Sequence, residues 1–238
     1  MITARNLHKS YFRHKTEVPV LKGIDLTVDR GEFVAIVGSS GSGKSTLLHL
    51  MGTLDAPTRG EVFLNDQRID HLPARDKDRL RNSQFGFIFQ FYHLLPELTA
   101  LQNVMMPAMV SSSFWQWRGR KSAARKRAIE LLELVGLGPR MHHKPKELSG
   151  GEMQRTAIAR ALASNPKVLF ADEPTGNLDA QGGIEIVQLL RDINLNEGVT
   201  ILMVTHNLEL VSFADRVVRM VSGKLVDELV PTVAENCV

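Results

Sequence analysis

Cysteine is nearly missing from this chain. Cys237, near its end, is the only one in 238 residues, which excludes an internal disulfide and any zinc site built on several thiolates. No apolar run approaches the roughly 20 residues that a membrane span needs. The opening "MITARNLHKS" has no apolar core of the kind a signal peptide carries, so the expectation is a cytosolic chain. Internal repeats and low-complexity tracts are absent too. What remains is an ordinary globular composition, 43% hydrophobic and 23% charged, in a chain long enough for one large domain or two packed subdomains. A net charge of +3 fits nucleic acid or an anionic membrane surface and proves neither.

The first third reads as strands and turns. "ITARNL" (2–7) and "IDLTV" (24–28) alternate apolar and polar residues, and "GEVFLN" (60–65) follows a "PTRG" turn. "EFVAIVG" (32–38) is a nearly continuous apolar run, the pattern of a strand buried on both faces. "FGFIF" (85–89), "KVLFADE" (167–173) and "GVTILMVTH" (198–206) read the same way, with helical patterns between them, so the expected architecture is α/β with a mainly parallel sheet. Residues 91–165 break the alternation. "SAARKRAIELLELVGLG" (122–138) and "SGGEMQRTAIARALASNP" (149–166) have helical spacing and read as a small helical subdomain inserted between sheet strands.

The run Gly38-Ser39-Ser40-Gly41-Ser42-Gly43-Lys44-Ser45-Thr46 sits between a buried strand and a helix and fits a P-loop. Glycines let backbone N–H groups curl around phosphate oxygens, and the following helix points its N-terminal dipole at the same anion. Lys44 supplies charge near the β- and γ-phosphates, and the Ser45 hydroxyl can ligate Mg²⁺. A buried strand ending in Asp172-Glu173 can offer Asp172 to the Mg²⁺ shell while Glu173 faces an attacking water; alone, it is equally an acidic loop beyond a core strand. His206 can bond the γ-phosphate or the water, or serve as a strand-end turn residue. Gln90 can touch Mg²⁺ or water, or merely cap a turn. Tyr11 can stack on adenine or pack on the surface.

"LSGGEMQR" (148–155) raises a separate question, because Ser149-Gly150-Gly151-Glu152 opens a second anion-binding helix end in a chain that already has one phosphate cradle. In its own chain such an end is redundant. It makes sense if it covers the γ-phosphate held by another copy; the plain alternative is a small-residue N-cap that permits close packing.

Together these residues resemble the nucleotide-binding domain of an ABC transporter over nearly the whole chain. Tyr11 matches the adenine-stacking loop, 38–46 the Walker A loop, Gln90 the Q-loop, 148–152 the signature, 168–173 Walker B, Asn177-Leu178-Asp179 the D-loop and His206 the switch histidine. The resemblance implies a P-loop ATPase core plus an N-terminal antiparallel β subdomain (1–90 and 166–238) and a helical, signature-bearing subdomain (91–165). ATP and Mg²⁺ are the implied cofactors. It further implies a homodimer in the ATP-bound state, with Ser149, Gly150, Gly151 and Glu152 on the nucleotide across the interface and Asp179 also binding nucleotide, beneath two membrane-spanning permease subunits.

"GFIFQFYHLLPELTALQNVMMP" (86–107) and "ADEPTGNLDA" (171–180) are similar to the branch that holds the lipoprotein-releasing and macrolide-export ATPases, and the first is closer to the lipoprotein-releasing side. That branch implies a peripheral subunit on the cytoplasmic face of the inner membrane, which reaches its lipoprotein substrate only through the permease. An exporter of macrolides or antimicrobial peptides is the alternative. A nucleic-acid or ribosome ATPase is remote, because no long coiled coil or zinc module separates Walker A from the signature; no nucleic-acid partner is expected. Two departures stand out. Met153 replaces a usually polar residue, and "SSSFWQWRGRKSAARKR" (111–127), holding both tryptophans, is longer than usual. The latter is read as a loop leading into a solvated basic helix start, with an amphipathic patch meeting headgroups as the alternative. "FYHLLP" after Gln90 is the candidate docking surface for the permease, with core packing of Phe91 and Leu94 as its competitor.

Overall fold

The computed structural model describes residues 1–14 and 16–229; Cys237 lies outside the described residues. In chain order the strands are β1 (Ile2–Arg13), β2 (Thr16–Val28), β3 (Phe33–Val37), β4 (Arg59–Leu64), β5 (Gln67–Arg68), β6 (Phe85–Phe89), β7 (Val168–Asp172), β8 (Thr200–Thr205), β9 (Arg216–Val221) and β10 (Lys224–Leu229). The helices are α1 (Lys44–Met51), α2 (Ala74–Gln84), α3 (Ala100–Val110), α4 (Phe114–Leu134), α5 (Gly150–Leu162) and α6 (Ala180–Glu197). The chain divides into two compact units, one of residues 1–77 with the chain from Arg191 on, the other Asp78–Leu190.

In the first unit, β2-β1-β4-β5 form an antiparallel sheet. Its alternation is the one the sequence spells out: Leu21, Ile24, Leu26 and Val28 are buried while Lys22, Asp25 and Thr27 between them are exposed. β3 has all five residues buried and lies between β8 and β9, parallel to both. That is why its sequence shows no alternation. Its start is pinned from several directions. Phe33 N–H donates to Asp215 Oδ2 (2.9 Å), Arg191 pairs with the other Asp215 oxygen (2.7 Å), and Arg216 pairs with Glu32 (2.7 Å). β9 and β10 pair antiparallel around Ser222-Gly223, both left-handed (φ 48° and 84°), as a tight hairpin turn requires. These two strands lie beyond the last strand expected from sequence, and the short S-G step between apolar runs is the one local signal for them.

In the second unit, β6 and β7 run parallel in the register Phe85↔Val168 to Phe89↔Asp172. Phe85 and Phe87 pack on Phe170 with ring centroids 5.1 and 5.3 Å apart. Helices α3, α4 and α5 pack against one another, and α5 lies on β6. Asn103, fully buried on α3, binds Leu95 N–H (2.8 Å) and donates to the carbonyls of Leu95, Leu98 and Thr99, so one side chain shapes the loop before its own helix. α4 begins at Phe114, well ahead of Ser122, so the stretch read as a loop is helical. The Gln116 side chain accepts from Ser113 N–H (3.1 Å) and starts the helix early.

Candidate nucleotide site

β3 carries the chain to Gly38, and the loop ends at Gly43, the residue before α1, with φ 106°. A Cβ at Gly43 would stand 2.9 Å from Leu21 Cδ2 and 3.3 Å from the Val20 carbonyl, so both conformation and space demand glycine. Lys44 Nζ bends back to donate to the Gly38 carbonyl (2.9 Å) and the Ser39 carbonyl (3.1 Å), which places its ammonium over the loop. The Ser42 hydroxyl is buried and has no hydrogen-bond partner among the described residues. Space at Gly41 is open, with no atom within 4 Å of where a Cβ would stand. A buried orphan hydroxyl, a curled glycine loop, an ammonium and a helix N-terminus together fit a phosphate chain. Ser45 and Thr46 are half-buried on the first turn of α1, while Ser39 and Ser40 are exposed.

Tyr11 is held rather than loose. Its hydroxyl donates to Asp55 Oδ2 (2.8 Å); Lys9 Nζ donates to Asp55 Oδ1 (2.8 Å) and lies 4.8 Å from the Tyr11 ring centroid. Burial pushes the Tyr11 hydroxyl pKa up, and the bond to Asp55 and its charge add to that, with a bond to Thr46 opposing. Burial also pushes the Asp55 carboxyl up, but the bonds from Lys9 and Tyr11 outweigh it and hold the group below its usual range. Tyr11 as a whole keeps 43% of its surface exposed. Asp55 was not visible as a site residue in sequence, because only the fold brings the α1–β4 connection to β1, where Lys9 stands two residues before Tyr11. His206 is exposed just past β8; Thr205 before it is buried and accepts from Asn207 N–H (3.1 Å).

In the second unit the register Phe89↔Asp172 sets the ends of two parallel strands level, so Gln90 and Glu173 leave the sheet side by side. Glu173 is left-handed, φ 48°, an uncommon and costly conformation for a residue with a Cβ. Gly176 lies so close to Gln90 that a Cβ there would come within 2.7 Å of Gln90 Nε2, and Asn177 Nδ2 donates to the Gln90 carbonyl (2.6 Å). Asp179 Oδ1 accepts from Gly182 N–H (2.9 Å) at the start of α6.

Ser149 caps α5. Its hydroxyl accepts from Glu152 N–H (3.2 Å), and Glu152 Oε2 accepts from Ser149 N–H (2.8 Å), a reciprocal pair at the helix end. That backbone bond holds the Glu152 carboxyl below its usual range against the opposing effect of burial, with the Ser149 hydroxyl and Arg140 adding to it. Gly150 packs toward the Tyr92 hydroxyl and Leu178, whereas around Gly151 nothing stands within 4 Å of a Cβ position. Arg160 on the same helix donates to the Tyr92 carbonyl (2.7 Å) and the His93 carbonyl; both residues are left-handed (φ 40° and 48°). Burial lowers the Arg160 pKa. Gln90, Asn177, Tyr92 and Gly150 are thus joined within one unit. Phe91, allowed as core by the sequence reading, is 67% exposed, and Leu94 is half-buried.

Residues 21–176 match the family described as ABC transporter. A protein of Rhodopirellula baltica named lipoprotein-releasing system ATP-binding protein LolD 2 is 52% identical over 95% of this chain and 89% of its own. An uncharacterized ABC transporter ATP-binding protein of Methanocaldococcus jannaschii, MJ1508, is 46% identical over 95% of this chain and 98% of its own. The solved dimer of the ATP-binding cassette MJ0796, bound to ADP and Pi in a post-hydrolysis state, superposes with a TM-score of 0.86 at 39% identity, covering 97% of this chain and 98% of that one. The chain belongs to the ABC transporter family and is the ATP-binding subunit of such a transporter.

Proposed function

We propose that this chain hydrolyses ATP as a homodimer beneath two membrane subunits and that the work released extracts lipoproteins from the inner membrane of the cell, toward the outer membrane. The single observation carrying the substrate is the 52% identity, over 95% of the chain, to a relative named for lipoprotein release. Dimer closure is supported by the dimeric MJ0796 cassette. Peripheral attachment at the cytoplasmic face is in keeping with the described helices, none of which is long and apolar enough to cross a membrane.

The residue roles follow from the chemistry of the groups. Loop 38–46 receives the phosphates, with Lys44 as the charge, and Tyr11 offers a ring face to the adenine. Mg²⁺ neutralises phosphate charge when bound. Ser45, Asp172 and Gln90 would hold the ion, together with nucleotide oxygens and water, the sparse protein ligation Mg²⁺ favours. Glu173 takes a proton from the attacking water, worth about 10²–10⁴-fold in rate. His206 bonds the γ-phosphate or that water. Ser149, Gly150, Gly151 and Glu152, with Asp179, close over the nucleotide of the partner copy. Phe91 and Leu95, 67% and 42% exposed just beyond Gln90, receive the permease.

The test is co-purification with its membrane subunits and reconstitution in proteoliposomes that hold a lipid-anchored protein. ATP should release that protein to a soluble acceptor, and E173Q should not. ATP turnover without release, together with efflux of a macrolide, would assign the chain to the export side of the branch.

A further inference from the structure

The turn between α3 and α4 combines two features that the nucleotide chemistry does not use. Met109, Val110 and Trp115 are 42%, 70% and 80% exposed within seven residues, and their neighbours Ser111, Ser112, Ser113 and Gln116 are uncharged. Behind this apolar tip come Arg118, Arg120, Lys121, Arg125, Lys126 and Arg127, the first five exposed along with the outer face of α4. No acidic residue occurs between Glu97 and Glu130. These six cations account for the sign of the whole molecule's charge: without them the chain holds 23 Lys and Arg against 26 Asp and Glu and is net acidic. The charge is therefore a local property of one helix end.

The spacing has the dimensions of a membrane interface. At about 1.5 Å of rise per residue, Arg118, Arg120 and Lys121 sit roughly 5–9 Å along the axis from Trp115, and the headgroup layer is about 5–7 Å deep on each side of the hydrocarbon. Trp115, Arg118, Ser122 and Lys126 follow one another at intervals of three and four residues and so share a helix face. A tip that enters to the depth of Trp115 sets the first three cations among lipid phosphates, with Arg125, Lys126 and Arg127 about 15–18 Å from it along the axis. We propose that the α3–α4 turn is an anionic-lipid contact: Val110 and Trp115 enter the interface of the bilayer, and Arg118, Arg120 and Lys121 bind headgroup phosphates. A nucleic acid would engage the cations and leave the apolar tip without a role. The lipid source is favoured because one occupant satisfies both. The biological setting rests on the reading above, but the contact itself needs neither permease nor nucleotide.

The test uses the full chain with vesicles of phosphatidylcholine, alone or mixed with phosphatidylglycerol. Since the chain's two tryptophans both lie here, W117F leaves Trp115 as the sole reporter. We expect binding to the mixed vesicles only, with a blue shift of Trp115 emission, and weakening at high salt. R118Q/R120Q/K121Q should lose roughly fivefold per cation, about a hundredfold in all, and V110S/W115S should lose the binding while keeping soluble ATPase activity. Circular dichroism confirms that each variant is folded, and the salt series on the unsubstituted chain is an independent check. Equal binding to phosphatidylcholine, binding with no emission shift, or binding of RNA with none to vesicles would each overturn the proposal. Intact ATPase with no vesicle binding removes this contact alone; vesicle binding without ATPase removes the functional reading alone.

Discussion

The left-handed backbone at Glu173 makes a prediction in which stability and activity move in opposite directions. A φ of 48° costs a residue with a Cβ about 1–2 kcal/mol. Asparagine tolerates this region far better, because its short polar side chain bonds locally. E173N should therefore recover about 0.5–1 kcal/mol of the strain. For a chain of this size each kcal/mol moves the melting temperature by about 2–4 °C, so E173N should melt about 1–4 °C higher than the parent without nucleotide. It also loses the base, and turnover should fall at least about 10²-fold. E173Q is the control: it loses the base too, but glutamine is strained as glutamate is, and its melting temperature should stay near the parent's. Scanning calorimetry of the three proteins beside steady-state phosphate release reads both quantities. E173N melting at or below E173Q would refute the strain argument, and near-parental turnover in either would remove Glu173 from catalysis.

Arg160→Met removes two charge-assisted bonds to carbonyls of left-handed residues, each worth about 1.5–3 kcal/mol before the relief of a buried charge is subtracted. We expect a loss of about 2–4 kcal/mol in urea unfolding and faster hydrogen exchange at 91–95; unchanged exchange there would sink the idea. Asp55→Asn should loosen Tyr11 and weaken ATP binding while leaving inorganic phosphate binding intact. Because the Asp55 pKa is depressed in the folded state, its stabilisation is present above the usual 3.8 and lost as pH falls through the lower folded value. The melting difference between parent and D55N should thus be flat at neutral pH and close in strong acid; a difference growing toward acid would contradict this. For the signature, two covalently linked copies in an E173Q background separate the arrangements. K44A in one half with S149R in the other should occlude one ATP, and both changes in one half should occlude essentially none. The reverse order would mean the signature serves its own chain.

What was legible in the sequence is what phosphate chemistry dictates locally. The curl at 38–46, the strand ending in Asp172-Glu173 and the helix start at Ser149 each need particular residue types at fixed spacing, and all three stand in their expected strand, loop or helix context. Contacts made by the fold were not legible. Nothing local says that Arg160 reaches back to Tyr92 and His93, or that Lys9 and Asp55 brace Tyr11. Backbone conformation at Glu173 is likewise set by the turn to Gly176, whose N–H donates to the Glu173 carbonyl (3.1 Å). β9 and β10 went unread because a hairpin of six-residue strands offers little periodicity.

The stretch from Gly176 to Leu178 has a consequence for timing. It is gripped at one end by Gln90, through the Asn177 bond and the Gly176 contact, and at the other it lies against Gly150. If Gln90 answers to one nucleotide and Gly150 covers the partner's, as proposed above, this stretch is a three-residue crank between two cylinders, and turning the shaft of one turns the other. Asn177→Ala would leave both chambers intact and cut the shaft, so the symptom to look for is lost synchrony: nucleotide release from the two sites would change from a paired event to two independent ones, at little cost to either site alone.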